Sequence, residues 1–442
     1  MIKLGVIVQK LTTSSLFKSS WIYIFTNILN AAVPFLFLPI LTRVLSPRDY
    51  GVIAISQVLM ALLGPILGLS AQGAITRQYY ERDRIDIGRY VSTCITLLIA
   101  TTTLLAGFLL VCADTISAWL SFPPTWLWGV LFATAIQVLG FFALAMWRVQ
   151  SKAWVYGGFQ LGQTVLNIAL SLWLIFGLKW GWEGRVAGQL ISATLFGFLG
   201  LRMLWLAGWV KWPYSREYLR HAISFGLPLC LHSIGSWLIT MIDRIFINTM
   251  VGLEAAGIYL VGYQIGMIIG IVQTAFNNAW VPWFYDKLKR NRPGDKRNIV
   301  LITYGYNVVI LTAAIALALI SPWFLSFFVG KNFEGASQYV FWIALGYAFN
   351  GMYKMVTNYL FYTENTKILT VITLLAGILN VILSYVLIKL NGPIGAAQAT
   401  AAAFLLSYLL TWFAVTRLHP MPWNPFKKQV DPPTYVNVPG GG

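Results

Sequence analysis

The stretch DRIFINTMVGLEAAGIY, residues 243–259, places two opposite charges, Asp243 and Arg244, near the end of a long apolar run. A short polar turn follows, and a second apolar run begins directly after it. The stretch TRVLSPRDYGVI, residues 42–53, has the same arrangement near the N-terminus. Each stretch is therefore predicted to form a polar hairpin between two apolar helices.

The composition of the whole chain indicates whether these helices are surrounded by water or by lipid. Of the 442 residues, 58% are hydrophobic and only 10% are charged, and the mean hydropathy is +0.70. Soluble domains carry roughly 25% charged and 45–50% apolar residues. A chain of this size cannot hide so much apolar surface from water, so we predict an integral membrane protein.

The charge and the possible metal ligands exclude other classes of protein. The formal charge of +17 would suit nucleic-acid binding, but the basic residues fall in the gaps between apolar runs, which is a topology signal. The three cysteines lie in or beside apolar runs without metal-ligand or disulfide spacing, and the three histidines are scattered. We predict no metal site and no cofactor.

Apolar runs of about 20 residues, the length that crosses roughly 30 Å of hydrocarbon, recur along the whole chain. No loop between them is long enough for an extramembrane domain. We predict an all-α polytopic membrane protein with a cytoplasmic leader (1–18), a cytoplasmic linker (209–220) and a disordered cytoplasmic tail (418–442). The twelve predicted spanning helices lie near residues 21–45, 51–75, 91–112, 126–147, 157–178, 186–208, 223–249, 256–281, 299–320, 338–360, 368–389 and 394–416.

The distribution of basic residues predicts the orientation. With a cytoplasmic N-terminus, the cytoplasmic segments hold 24 of the 31 Lys and Arg residues, and the opposite side holds six. This ratio is a strong positive-inside signal. Both termini are predicted to be cytoplasmic.

The two halves of the chain resemble each other. Three matching pairs occur in the same order at offsets of 206–213: Gly51 with Gly257, Asn167 with Asn380, and Gly184 with Gly395. We predict a parallel repeat of two six-helix bundles, residues 19–208 and 221–417, because an even number of helices inserts both halves the same way up. Transporters built in this way bind substrate between the halves.

Asp243 and Arg244 are the strongest candidates for a functional role, because ionisable groups in hydrocarbon normally face a cavity or a partner. Adjacent helical positions point about 100° apart, so the two side chains are not expected to form a tight mutual pair. One interpretation makes them structural anchors near the outer interface. The other assigns Arg244 to an anionic group and Asp243 to a proton or cation.

Further candidates come from charge placement and from amides within apolar runs. Lys354 in helix 10, with Arg77 and Arg148 at the ends of helices 2 and 4, could ring a cytoplasmic opening that attracts phosphate. Positive-inside anchoring explains these three residues equally well. Helix–helix contacts or a hydrophilic cavity for sugars would account for the amides Asn27, Asn30, Gln57, Gln72, Asn277 and Asn278.

The segments LTRVLSPRDYG (41–51), DRIFI (243–247) and GLEAAGIY (252–259), within a chain of twelve helices, resemble bacterial polysaccharide-biosynthesis flippases. These include the O-antigen flippases and belong to the superfamily that also contains multidrug and toxin extruders. The resemblance implies two bundles in a V shape around a cationic central cavity. Of the candidate residues, Arg43, Arg48, Asp243 and Arg244 lie within these motifs.

The resemblance also implies the activity. Polyprenyl-pyrophosphate-linked oligosaccharide would pass by alternating access from the cytoplasmic to the outer leaflet of the bacterial inner membrane. A proton or sodium gradient could drive resetting, with Asp243 as the coupling carboxylate. Membrane lipid surrounds the substrate path, and glycan polymerases or other assembly proteins could be partners.

Two alternatives remain at this stage. A multidrug extruder would share the fold, but it would need carboxylates and aromatic groups to receive organic cations, and acidic residues within the helices are nearly limited to Asp243. A membrane-embedded glycan polymerase or ligase typically needs a large outer loop, and none is present. The protein is therefore predicted to be a transporter and not an enzyme.

Overall fold

A computed structural model describes residues 15–290, 292–363, 365–418 and 421–424, and all regular secondary structure in these ranges is helical. Most of the predicted leader and tail lies outside the described residues. The fifteen α-helices of the described chain are α1 (Ser15–Val44), α2 (Pro47–Ile66), α3 (Ala71–Gln78), α4 (Ile87–Leu120), α5 (Pro124–Val149), α6 (Ala153–Leu172), α7 (Trp182–Leu206), α8 (Arg216–Thr240), α9 (Ile242–Met250), α10 (Leu253–Gly266), α11 (Ile268–Arg290), α12 (Pro293–Phe328), α13 (Ser337–Tyr362), α14 (Thr366–Asn391) and α15 (Ile394–Leu418). We refer to α1–α7 as the N-terminal half and to α8–α15 as the C-terminal half.

Ten helices of the described residues are long and apolar enough to cross a membrane. Their outward faces carry large apolar side chains such as Val111, Leu319 and Trp323, which are 84%, 76% and 76% exposed and would be covered by lipid. The other two predicted runs fall on α1, of which only Phe35–Val44 ranks as a shorter apolar helix, and on α13. Asn350, Lys354 and Asn358 lower the hydropathy of α13.

Three predicted helices, 51–75, 223–249 and 256–281, are each divided in two, and the prediction of continuous helices there was wrong. The third is divided only by a one-residue turn at Met267, so α10 and α11 together form a single apolar span. Residues 68–70, shortly after Pro65, have φ values of 71°, 49° and 54°, which end α2 and start α3. The N–H of Gly68 donates to the Thr101 hydroxyl at 3.0 Å, so a neighbouring helix satisfies a donor freed by the break. The second break is at Met241, where φ is −131° and ψ is −25°.

The Ser46–Asp49 segment of the first hairpin is a helix cap. The Ser46 hydroxyl accepts the N–H of Asp49 at 3.1 Å, and the Asp49 carboxylate accepts the N–H of Ser46 at 2.9 Å. Pro47 follows at the first helical position, where its missing N–H costs nothing. This capping box fixes the start of α2 and therefore the position of Gly51 one turn further on.

The two halves meet where α2 crosses α10. A Cβ added at Gly51 would overlap the carbonyl group of Leu253, and one added at Gly257 would overlap the carbonyl oxygen of Pro47. Leu253 and Gly257 follow Pro47 and Gly51 by 206 positions each. The two contacts are therefore reciprocal, as at an interface with two-fold symmetry.

Candidate functional site

The break at Met241 places Asp243 and Arg244 in the first turn of α9, in the interior of the protein. Asp243 is fully buried and Arg244 is 2% exposed. The Arg244 Nη1 lies 3.3 Å from the Asp243 Oδ1. The expectation that the two side chains do not pair was wrong, because the interrupted helix lets the guanidinium fold back beside its neighbour.

Both charged groups have further partners. The Arg244 Nη1 donates to the carbonyl oxygen of Thr240 at 2.7 Å, and the guanidinium carbon lies 4.0 Å from the centre of the Tyr263 ring. The Asp243 carboxylate accepts the backbone N–H of Arg244 at 2.8 Å and the hydroxyl of Tyr259. The Arg244 Nε has no hydrogen-bond partner within the described chain.

A central cavity of about 340 Å³ lies between the halves and is lined by Arg244 from α9 and Arg185 from α7. The Arg185 Nη1 donates to the Asn167 side-chain oxygen at 2.9 Å and to the Ser171 hydroxyl at 3.2 Å, both on α6. Arg185 also lines an adjoining cavity of about 190 Å³. Its hydrogen-bond acceptors in the described chain are neutral, so its charge is available to an anion.

The C-terminal half contains a cavity of about 270 Å³ that is lined by hydroxyl groups, His232 and Lys354. Lys354 is half-buried, and its ammonium donates to the Thr274 hydroxyl at 3.1 Å. The Tyr263 and Tyr347 hydroxyls, 2.7 Å apart, connect this cavity with the central one. Lys354 is thus a third cationic side chain near the central cavity, after Arg185 and Arg244.

The N-terminal half contains a cavity of about 400 Å³ with four glutamines in its wall. It shares Gln57 and Gln189 with the central cavity, so the two spaces adjoin. None of these four cavities is lined by Asp or Glu. Together they offer cations and neutral polar groups to a ligand that enters between the halves.

Comparison with protein-family models matches residues 16–287 to a family described as polysaccharide biosynthesis protein. The chain belongs to this family. A second model, described as MatE, matches residues 228–386.

Relatives of this family member include Lsg locus putative protein 1 of Haemophilus influenzae, which is 26% identical over 83% of the chain and 89% of that protein. The probable low-salt glycan biosynthesis flippase Agl15 of Haloferax volcanii is 21% identical over 87% of the chain and 80% of that protein. The families and relatives identify the protein as a flippase or transporter of the polysaccharide biosynthesis family.

Two solved structures share its fold. The lipid II flippase MurJ in an inward closed conformation has a TM-score of 0.68 at 15% identity, over 92% of this chain and 87% of that one. An inward-facing multidrug resistance MATE family transporter has a TM-score of 0.66 at 14% identity, over 89% and 95% of the two chains. The family member is therefore a multi-pass membrane protein with the MurJ and MATE fold.

Several residues that the sequence predicts to bind substrate lie away from the four cavities of this protein. Arg43 donates to the carbonyl oxygen of Phe327 at 3.3 Å, Arg77 pairs with Glu81 at 3.1 Å, and Asn278 is exposed. Arg148 donates to the Tyr156 hydroxyl at 2.9 Å, and the side chain of Asn27 lies outside the described residues. Of the predicted cations, the structure brings Arg244 and Lys354 to cavities.

Sequence reasoning missed Arg185, which is one of the six basic residues on the predicted outer side. A basic residue close to the start of a membrane helix is ordinary and gives no functional signal. The available signal was on the preceding helix, where Asn167 and Ser171 lie four residues apart and form a polar face within an apolar run. The structure aims Arg185 at this polar face.

Proposed function

We propose that the protein is a flippase that moves a polyprenyl-pyrophosphate-linked oligosaccharide from the cytoplasmic to the outer leaflet by alternating access. The observation that carries the proposal is the central cavity, which contains Arg185 and Arg244 and no carboxylate in its wall. Hydrocarbon cannot solvate a pyrophosphate, so the path must supply cations and polar groups. The polyprenyl tail remains in lipid while the head group crosses.

The organisation of the chain supports this mechanism. Twelve spans in two six-helix bundles, arranged as a V around the central cavity, would let the halves rock against each other. The reciprocal contact of Gly51 with Leu253 and of Gly257 with Pro47 supports the parallel repeat. The excess of basic residues in alternate loops supports cytoplasmic termini in a bacterial inner membrane.

A cation-coupled multidrug antiporter is the second candidate, favoured by the MatE match to residues 228–386. Such a transporter needs acidic groups in contact with its cationic substrate. Asp243 lines none of the four cavities and is held by Arg244 and Tyr259. We therefore favour the anionic substrate. We assign Asp243 to proton or sodium coupling, in a state where its contacts with Arg244 and Tyr259 open.

Flipping by purified protein tests the proposal. Proteoliposomes would contain a labelled lipid-linked oligosaccharide, and an impermeant glycan-cleaving enzyme outside would report transfer between leaflets. We expect Arg185→Gln to slow transfer at least tenfold, because charged hydrogen bonds contribute about 1.5–3 kcal/mol. Arg202→Gln, an exposed position on the same helix, is the matched control and should flip like the unmodified protein.

Two results would contradict the proposal. One is an absence of transfer with any lipid-linked glycan together with proton-driven efflux of organic cations, which would move the protein to the extruder class. The other is equal transfer by Arg185→Gln and Arg202→Gln, which would remove the central cavity from the substrate path.

A further inference from the structure

The glutamine-lined cavity of the N-terminal half has a composition unlike that of the central cavity. Gln57 from α2, Gln72 from α3, Gln137 from α5 and Gln189 from α7 line a space of about 400 Å³. Small-molecule sites occupy roughly 300–1,000 Å³, so the cavity is large enough for a ligand. Four separate helices contribute the same side chain to one space.

Three of these four amides lack hydrogen-bond partners within the described part of the chain. The side chains of Gln57, Gln72 and Gln137 are half-buried and make no hydrogen bond to other described residues. The side chain of Gln189 makes a single hydrogen bond within the described chain, to the thioether sulfur of Met60 at 3.2 Å, and this sulfur is a weak acceptor. A polar group inside a membrane protein is costly unless a partner satisfies it. The cavity therefore presents donors and acceptors without using them for its own packing.

The type of polar group selects the ligand. A glutamine amide offers two donor hydrogens and an acceptor oxygen, which complement a sugar hydroxyl that both donates and accepts. No Lys, Arg, His, Asp or Glu lines this cavity. A sugar carboxylate would have no countercharge there, and burial of an unpaired charge is strongly unfavourable. The chemistry fits an uncharged sugar.

The position of the cavity links it to the central site. Gln57 and Gln189 line both spaces, and Arg185 and Arg244 lie in the central one. A sugar bonded directly to a pyrophosphate held by these arginines would extend past Gln57 and Gln189 toward Gln72 and Gln137. We infer that this cavity binds an uncharged sugar ring of the glycan, an inference that rests on the proposed flippase function.

Binding measurements with three lipids test the inference. The full chain in nanodiscs would be titrated with polyprenyl pyrophosphate alone, with the same lipid carrying N-acetylglucosamine, and with the same lipid carrying glucuronic acid. We expect N-acetylglucosamine to tighten binding about tenfold over the sugar-free lipid, since a few net hydrogen bonds are gained. Glucuronic acid should give no such gain.

Variants at the two glutamines that line only this cavity separate its role from that of the central site. Gln72→Leu/Gln137→Leu should lose the gain from N-acetylglucosamine and keep the affinity for sugar-free lipid. Gln137→Arg should reverse the preference toward glucuronic acid by supplying a countercharge. Gln338→Leu, at an exposed position outside the four cavities, should retain the unmodified pattern.

The outcomes are distinguishable. A gain that persists in the double leucine variant, an equal gain with glucuronic acid, or equal weakening for all three lipids would overturn the inference and leave the flippase proposal standing. If none of the three lipids binds the unmodified protein, the proposed function and the inference are both overturned.

Discussion

Arg185 and Arg244 lie in the same cavity, but their charges are compensated differently. Arg244 contacts the Asp243 carboxylate at 3.3 Å, whereas Arg185 donates to the neutral Asn167 and Ser171. An anion that enters the cavity must share Arg244 with Asp243 but meets the full charge of Arg185. Arg185 is therefore the cation on which substrate binding should depend most, and Arg244 is held in place by its acidic neighbour.

This difference makes the stability of the protein depend on Asp243. Asp243→Asn would leave the buried guanidinium of Arg244 without a countercharge, and the loss of one partner of a buried pair costs about 3–5 kcal/mol. We expect a clear fall in the melting temperature of the detergent-solubilised protein. Asp286→Asn is the control, because Asp286 pairs with Arg290 at 2.6 Å where the side chains are 52% and 50% exposed. Exposed pairs contribute about 0–1 kcal/mol, so Asp286→Asn should change the melting temperature little. Equal melting temperatures of the two variants would contradict a stabilising role for the buried pair.

Sequence could predict part of this site. Two adjacent charges in an apolar run identify Asp243 and Arg244 without any structure, because such charges are expensive in a bilayer. Their mutual contact could not be predicted, since it depends on the break at Met241, which no proline or glycine marks. Arg185 was missed for a different reason: its role depends on an adjoining helix, which charge counting along the chain does not see.

At the scale of helices, α2 and α10 cross in close contact between the halves, at residues that belong to the two hairpin motifs. The capping box at Ser46 and Asp49 starts α2 so that Gly51 faces Leu253. The predicted repeat makes Gly51 and Gly257 equivalent positions, and in the structure both lie where α2 crosses α10. Equivalent residues of a two-fold repeat meet in this way only near the symmetry axis.

A methyl group at this crossing has no room. Gly257→Ala would place its Cβ against the Pro47 carbonyl and the backbone nitrogen of Gly51, neither of which is a flexible side chain. We expect the helices to separate and the melting temperature to fall. Gly107→Ala in α4 is the matched control, because nothing lies within 4 Å of its added Cβ. Alanine is favoured over glycine in a helix by about 1 kcal/mol, so this variant should be as stable as the unmodified protein or slightly more so. If the Gly257→Ala and Gly107→Ala proteins had the same melting temperature, the tight crossing would be refuted.

At the scale of the whole molecule, the halves are joined at both ends of the central cavity. One contact is the α2–α10 crossing. At the opposite end, His221 of α8 lies 2.9 Å from both the Tyr90 hydroxyl and the Gln78 side-chain nitrogen, and Gly226 packs against the Leu69 carbonyl. Opening one set of contacts would admit substrate to the cavity from that end. The proposed alternating access would require the two sets to open in turn.

The direction of transport depends on which end faces the cytoplasm, and the charge distribution predicts that end. Asp83 precedes α4 at the end rich in basic residues, and Glu334 lies between α12 and α13 at the other end. Both side chains are exposed, so each can be replaced by cysteine without disturbing the packing. The native cysteines should not react, since Cys94 and Cys230 are buried and Cys112 can be removed by Cys112→Ser in every labelling variant.

Glu334→Cys should react with a membrane-impermeant maleimide in intact bacterial cells, and Asp83→Cys should react only after the cells are permeabilised. The physical reason is that basic loops resist translocation, so we expect the end that contains Arg82, Arg84 and Arg89 to stay in the cytoplasm. If Asp83→Cys were labelled in intact cells and Glu334→Cys were protected, the protein would have the opposite orientation in the membrane. The cavity contacts would then remain as described, but glycan would have to enter past the α2–α10 crossing instead of past His221, and the proposed cytoplasmic-to-outer direction would be wrong.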